Sequence, residues 1–247
     1  MLILRDTDAA AAPAQRSVVT IGAYDGVHKG HRAVIAHVQA EAKRLGCRGV
    51  VVTFDRHPAS VVRPESAPKL LTDSDQKIEL LAGTGIDATF MVHFDEAASK
   101  EDPAAFVKRV LVDALGAKLI VVGEDFHFGY KRGGNVAMLR ELGKQFDFEV
   151  VPMQLVPRPD GVAEPVSSTA IRRALAGGQV EVAQQLLGRP FSVRGVVVNG
   201  DKRGRTIGFP TANTEVSNQM CLPADGVYAG MFTCADGSVH GCAINLG

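Results

Sequence analysis

The chain has no charge of either sign to spare: across 247 residues, 27 Lys+Arg stand against 27 Asp+Glu, and 27 − 27 = 0. That removes the broad basic excess by which a nucleic-acid or acidic-membrane partner announces itself. Cysteine is scarce too. Cys47, Cys221, Cys234 and Cys242 form no CxxC pair and no metal-ligand spacing, the pattern of reduced thiols in a cytoplasmic protein. No run approaches the roughly 18–20 apolar residues that cross a bilayer. The opening MLILRDTDAAAAPAQR carries acids where a secretory signal needs a basic end and an apolar core. What is present is ordinary for a globular chain: 46% hydrophobic and 22% charged residues argue against general disorder. The length suits one large domain or two unequal ones, with ample material for a core. These features lead us to expect a soluble, cytoplasmic protein with no nucleic-acid and no membrane partner; a homo-oligomer is compatible with them.

Up to about residue 187, strand and helix signals alternate. SVVTIG (17–22), GVVVTF (49–54), DATFMV (87–92), KLIVVG (118–123) and FEVVPMQLV (148–156) read as strands. Between them, Val34, Ile35, Val38, Ala42 and Leu45 fall at helical spacing before Gly46, a C-terminal cap. Thr72 or Asp73 caps a helix through Ile78, Leu80 and Leu81, and Asp102-Pro103 opens another that runs to Gly116. A further helix passes through Met138 and Leu142, and two short ones follow, STAIRRALAGG and QVEVAQQLLG. Buried strands alternating with helices predict an α/β fold with a parallel sheet covered on both faces. From Phe191 the pattern becomes extended and glycine-rich (FSVRGVVVNG, DGVYAGMFTC, SVHGCAINLG), as in antiparallel strands of a small barrel or sheet. The domain boundary is therefore expected near Leu187–Pro190.

Ligands of parallel sheets bind at the carboxyl ends of the strands, and four motifs stand there. The first strand runs into GAYDGVHKGH (22–31). Its glycines permit a sharp turn and close backbone approach, and His28 and His31 share one face at the start of a helix. Free amides and the positive end of the helix dipole make this a phosphate site, where imidazole donors can stabilise developing charge. A metal pair would need a third ligand, for which His57 and His127 are remote in sequence; histidines without a role are the bland alternative. TFDRHP (53–58) places Asp55 and His57 at a strand end, functional or ordinary in equal measure. GEDFHFGYKRGG (123–134) offers Asp125 with Phe126 and Phe128, which could stack on a flat ring or simply fill the core. In SSTAIRRAL (167–175), Ser167, Ser168 and Thr169 are good caps and Arg172 presents a fork suited to phosphate. Alone such a cluster is structural; beside the HxGH helix it reads as the second jaw of a triphosphate clamp.

In this order, the four motifs resemble the prokaryotic bifunctional riboflavin kinase/FMN adenylyltransferase family, also called FAD synthetase. LLGRPFSVRGVVVNGDKRGRTIGFPTAN (186–213), LPADGVYAG and CAINLG are similar to the family's riboflavin kinase module. The resemblance implies a Rossmann-like nucleotidyltransferase domain over 1–187 and part of an antiparallel β-barrel domain over 188–247. It implies substrates ATP, FMN and riboflavin, the product FAD, and Mg²⁺ accompanying ATP. It implies His28, His31 and Arg172 in catalysis, and Gly22, Tyr24, Gly30, Ser168 and Thr169 at ATP. His57, Pro58, Asp125, Phe126 and Phe128 fall on the flavin side. In the kinase module, Gly204 and Gly208 belong to the loop over the phosphates, and Thr211 and Asn213 to the metal-nucleotide.

The chain departs from the family at Arg56, where proline is usual. The family's barrel also continues past the NLG at 245–247 and supplies later a glutamate regarded as the base on the riboflavin hydroxyl. The expectation is a polypeptide that adenylylates FMN and phosphorylates riboflavin poorly. A nucleotidyltransferase for another phosphorylated acceptor, or a non-catalytic flavin- or nucleotide-binding protein, are the rival readings.

Overall fold

The computed structural model describes residues 1–6, 15–200 and 211–247. Leu2–Arg5 (β1), Ser17–Ile21 (β2), Arg48–Phe54 (β3), Ala88–Val92 (β4), Ala117–Gly123 (β5) and Glu149–Met153 (β8) form one parallel sheet in the order β1-β4-β3-β2-β5-β8. The strands are valine-rich and alternate strictly. Val19, Val50 and Val52 enter one core, while Val18, Val51 and Val121 enter the other. The first core is covered by Pro103–Phe106 (α5) with its continuation Val107–Ala114, and by Val136–Phe146 (α6); the second by Lys29–Leu45 (α1) and Ser74–Ala82 (α3). The chain steps from β2 outward through β3 and β4, then returns to the other side of β2 for β5 and β8. That reversal is a topological switch point, the place where sheets of this kind bind ligands at the carboxyl ends of their strands.

The helix caps follow the sequence reading. Gly46 ends α1 in the left-handed region at φ 63°. Asp73 starts α3 with a reciprocal capping box to Gln76, and Asp102 caps α5 through Ala104 and Ala105.

Four features differ from expectation. The helix after Asp102 changes to π-type turns from Val107 and stops at Ala114; Val107, Val110 and Leu111 stay buried. The last strand is shorter than 148–156, because its neighbour β5 ends at Gly123, opposite Met153. The edge strand β1, parallel to β4, had no usable sequence signal, being only LILR with a mostly exposed pattern. The segment after β5 folds into a tight hairpin, His127–Phe128 (β6) against Gly134–Asn135 (β7).

Ser168–Ala176 (α7) and Val180–Leu187 (α8) form a third cluster with Leu71 and Cys221. Cys221 lies well beyond the expected boundary. Its amide donates to Leu70 O at 2.7 Å, and the Leu70 amide donates to Gln219 O at 2.8 Å, so residues 219–221 dock on the first region. All four cysteines are free. Beyond α8, the extended segments pair antiparallel as expected: Val196–Val198 (β9) with Asn213–Glu215 (β10), and Gly226–Thr233 (β11) with Val239–Leu246 (β12).

Candidate active site

The turn after β2 is strained. Tyr24, Gly26 and Val27 adopt φ of 52°, 82° and 37°. A β-branched residue at positive φ is a genuine outlier, of the kind found where surrounding contacts over-determine the chain. At Gly26 a Cβ would stand 2.9 Å from the Leu71 side chain, so the turn needs glycine for both conformation and space.

The turn delivers His28 as the N-cap of α1. Its Nδ1 accepts the His31 amide at 3.3 Å. With Nδ1 an acceptor, the neutral ring carries its proton on Nε2, a donor. The two imidazoles stack at 3.6 Å between centroids, 17° from parallel, and His31 leans on the Tyr24 ring at 4.7 Å. Gly30 permits this: a Cβ there would meet His28 Nδ1 at 3.1 Å and Val166 O at 3.2 Å. His31 Nδ1 is buried and has no hydrogen-bond partner among the described residues, an orphan that a bound ligand could satisfy.

Burial, reinforced by the positive charges of Arg172 and Arg189, pushes the His28 pKa down to about 4. Burial and His28 likewise hold His31 well below the usual histidine range. Both rings are therefore neutral donors near pH 7. The unfolded chain, with ordinary histidines near 6.5, takes up protons that the native state refuses, so stability is lost as pH falls through 6.5 toward 4. His28 alone should account for about 2 kcal/mol of loss between pH 7 and 5. Urea unfolding at the two pH values should show a distinctly flatter dependence in His28→Asn; an unchanged slope would contradict the buried neutral ring.

Asp25, unnoticed in the sequence, ties this turn to two other segments. Its buried carboxylate accepts from the Leu71 amide at 3.0 Å, the Thr72 amide at 3.1 Å, the Thr72 hydroxyl at 3.2 Å, and the Arg172 guanidinium. Arg172 also donates Nε to Lys69 O at 2.6 Å. Its fork is thus partly engaged inside the protein, where the sequence suggested a fork open to phosphate. Ser168 donates to Asp25 O at 2.9 Å, Ser167 is the cap that accepts from Ala170, and Thr169 is exposed. The start of α7 thus meets the turn before α1 through Ser168 and Arg172.

Of the other expected residues, Tyr24 is buried, its hydroxyl 2.8 Å from that of Thr20, so it supports His31 from below and does not face solvent. Gly22 lies against the Tyr24 ring. His57 caps the short helix Pro58–Val62 (α2), with Pro58 at its first position. It borders a cleft with Asp25, Asp55, Arg56, Thr72 and Lys77. Arg56 makes only a long, exposed pair with Asp55 at 3.7 Å. Phe128 is a correction: its ring is buried against Phe106 and crowded by Gly134, where a Cβ would sit 2.6 Å away. Phe126 stacks on it at 5.5 Å and keeps more of its surface, and Asp125 is exposed. Asn213 opens β10, and Thr211 and Asn213 are exposed. Gly204 and Gly208 lie outside the described residues.

Sequence reasoning also missed Lys77. It is buried, donates to Phe54 O at 2.6 Å, and has its pKa lowered by burial. A lysine inside an ordinary amphipathic helix gives no cue that the helix end it serves faces a cleft.

A parallel α/β sheet whose switch-point turn presents stacked imidazoles at one helix start, facing a second capped helix with its arginine, defines a Rossmann-like nucleotidyltransferase. The FAD synthetase family matches residues 10–170 and the riboflavin kinase family residues 187–247. The bifunctional riboflavin kinase/FMN adenylyltransferase of Escherichia coli K12 is 39% identical over 88% of this chain and 68% of its own length. That of Haemophilus influenzae is 36% identical over 100% of this chain and 79% of its own. The chain belongs to this bifunctional riboflavin kinase/FMN adenylyltransferase family. A crystal structure described as a macrolide-efflux protein from Streptococcus pneumoniae superposes with a TM-score of 0.79 and 29% identity, covering 98% of this chain and 83% of that one. Among the described residues no helix is long and apolar enough to cross a membrane.

Proposed function

We propose that residues 1–187 transfer AMP from ATP to FMN, giving FAD and pyrophosphate, and that residues 188–247 belong to the riboflavin kinase region of the same cytoplasmic enzyme. The FMN phosphate attacks the α-phosphorus of ATP; that P–O bond forms as the bond to pyrophosphate breaks. A phosphate monoester, with its second pKa near 6, is mostly dianionic at neutral pH, so no base is required. Positioning and charge stabilisation are the protein's contribution.

The stacked pair His28–His31 is the observation that carries the reading. With its Nδ1 accepting the His31 amide, His28 keeps an Nε2 proton to donate at the start of α1, a donor set suited to phosphate oxygens. Arg172 adds fixed positive charge. His57 and Pro58 border the flavin side, and Phe126 with Asp125 supplies its further edge; Phe128 backs Phe126. Among the described residues no group of three or more His, Cys, Asp or Glu is placed to hold a metal. Magnesium would therefore be bound chiefly by the triphosphate, with few protein ligands, as that ion prefers. In the kinase region, the hydroxyl of Thr211 and the amide oxygen of Asn213 are the hard donors that would hold it. Bound, it neutralises triphosphate charge.

Incubation with ATP, Mg²⁺ and FMN should yield FAD and pyrophosphate in equal amounts, read by chromatography and a pyrophosphate assay. Pyrophosphate without FAD, or neither product, would sink the assignment.

A further inference from the structure

The segment after α8 runs back across the candidate site. Phe191 packs on the α7–α8 cluster, Gln76 Nε2 donates to Ser192 O at 3.4 Å, and Arg194 pairs with Glu79. Between α8 and these contacts, Arg189 reaches the strained turn. Its Nη2 donates to Gly26 O at 2.8 Å and its Nη1 to Val27 O at 3.4 Å. Those carbonyls belong to the two residues at φ 82° and 37° that immediately precede the His28 cap. The guanidinium is half-buried and has no carboxylate partner among the described residues.

We propose that Arg189 is a positioning residue for adenylyl transfer: reaching in from the start of the second region, it holds the Gly26–Val27 turn and so sets His28 toward the reacting phosphates. The inference rests on the reading of His28 given above. A planar fork spanning two successive carbonyls fixes the relative tilt of their peptide planes, which sets where α1 begins. Lysine supplies the charge but not the fork. Burial and the nearby Arg32 push the Arg189 pKa down to about 10, still charged at neutral pH. The charged groups acting on His28 are Arg172 and Arg189, and the neutral His31 ring stacks on it. Arg189 thus gives the kinase-side segment a direct hold on the adenylyl site.

The test compares Arg189→Gln, Arg189→Lys, Arg194→Gln and His28→Ala in the full chain. The readouts are kcat and KM for FAD formation and titration of the His28 ring by NMR. Arg189→Gln should lower kcat about tenfold or more, since sub-ångström misplacement is costly in such sites. It should also move the His28 titration to higher pH, one neighbouring positive charge having gone. Arg189→Lys should keep the titration and recover only part of kcat. Arg194→Gln, at an exposed pair, should match the parent. If Arg189→Gln loses thermal stability but keeps kcat per folded molecule and the His28 titration, Arg189 is structural and the proposal falls. Should that variant not fold, parental turnover in Arg189→Lys overturns the proposal equally. An active His28→Ala would remove the site reading and the proposal together. An impaired His28→Ala beside unimpaired Arg189 variants would remove the proposal alone.

Discussion

His28→Ala and His28→Asn should both slow FAD formation by about 10²–10³-fold, the loss expected when one preorganised donor to developing charge is removed. The two substitutions differ in what else they remove. His28 caps α1 by accepting the His31 amide, and alanine abolishes that bond at a cost of about 1 kcal/mol. Asparagine is among the best caps and restores the acceptor without the ring. Equal kinetic loss with unequal thermal stability would assign the effect to the imidazole. Parental turnover in His28→Asn would reduce the histidine to a cap.

The second large effect concerns Asp25. Its carboxylate is buried, pairs with Arg172, and accepts the Leu71 and Thr72 amides. Asp25→Ala strands a largely buried guanidinium and orphans two amide donors, so it should destabilise the fold by about 3–5 kcal/mol. Urea unfolding followed by circular dichroism measures this directly. A double-mutant cycle with Arg172→Met should be strongly non-additive, because the second substitution removes the charge that the first left unpaired. Additive losses would mean that the pair is not the tie between the first turn and α7. Asp125→Ala, at an exposed position in the turn between β5 and β6, should change stability by no more than about 0.5 kcal/mol.

How far the sequence could be read follows from which interactions are local. The parallel sheet was legible because Val18–Val19 and Val50–Val52 are short apolar runs bounded by turns, and the caps at Gly46, Asp73 and Asp102 act within a few residues of themselves. The HxGH helix start was legible for the same reason. Asp25 was not: its partners lie 46 or more residues away in sequence, and inside a glycine-rich motif it looks like one more turn residue. Phe128 shows the converse, since an aromatic at a strand end reads alike whether it meets a ring ligand or Phe106. Arg189 sits in what composition marks as a connector, and only the folded chain shows it on the Gly26 carbonyl. The partly closed fork of Arg172 was hidden because motif spacing reports which groups converge, not which already hold one another.

The stacked neutral imidazoles have a wider consequence. A histidine that must gain or lose a proton makes an enzyme answer to the acidity of its surroundings. Here burial takes that freedom from both rings, and the groups around them are arginines already engaged, Arg172 with Asp25 and Arg189 with the Gly26 and Val27 carbonyls. The division of labour separates grip from proton bookkeeping. A modest fall in pH below neutrality should leave the hold on a triphosphate nearly constant, and the first sensitivity to appear should be the protonation state of the flavin phosphate itself.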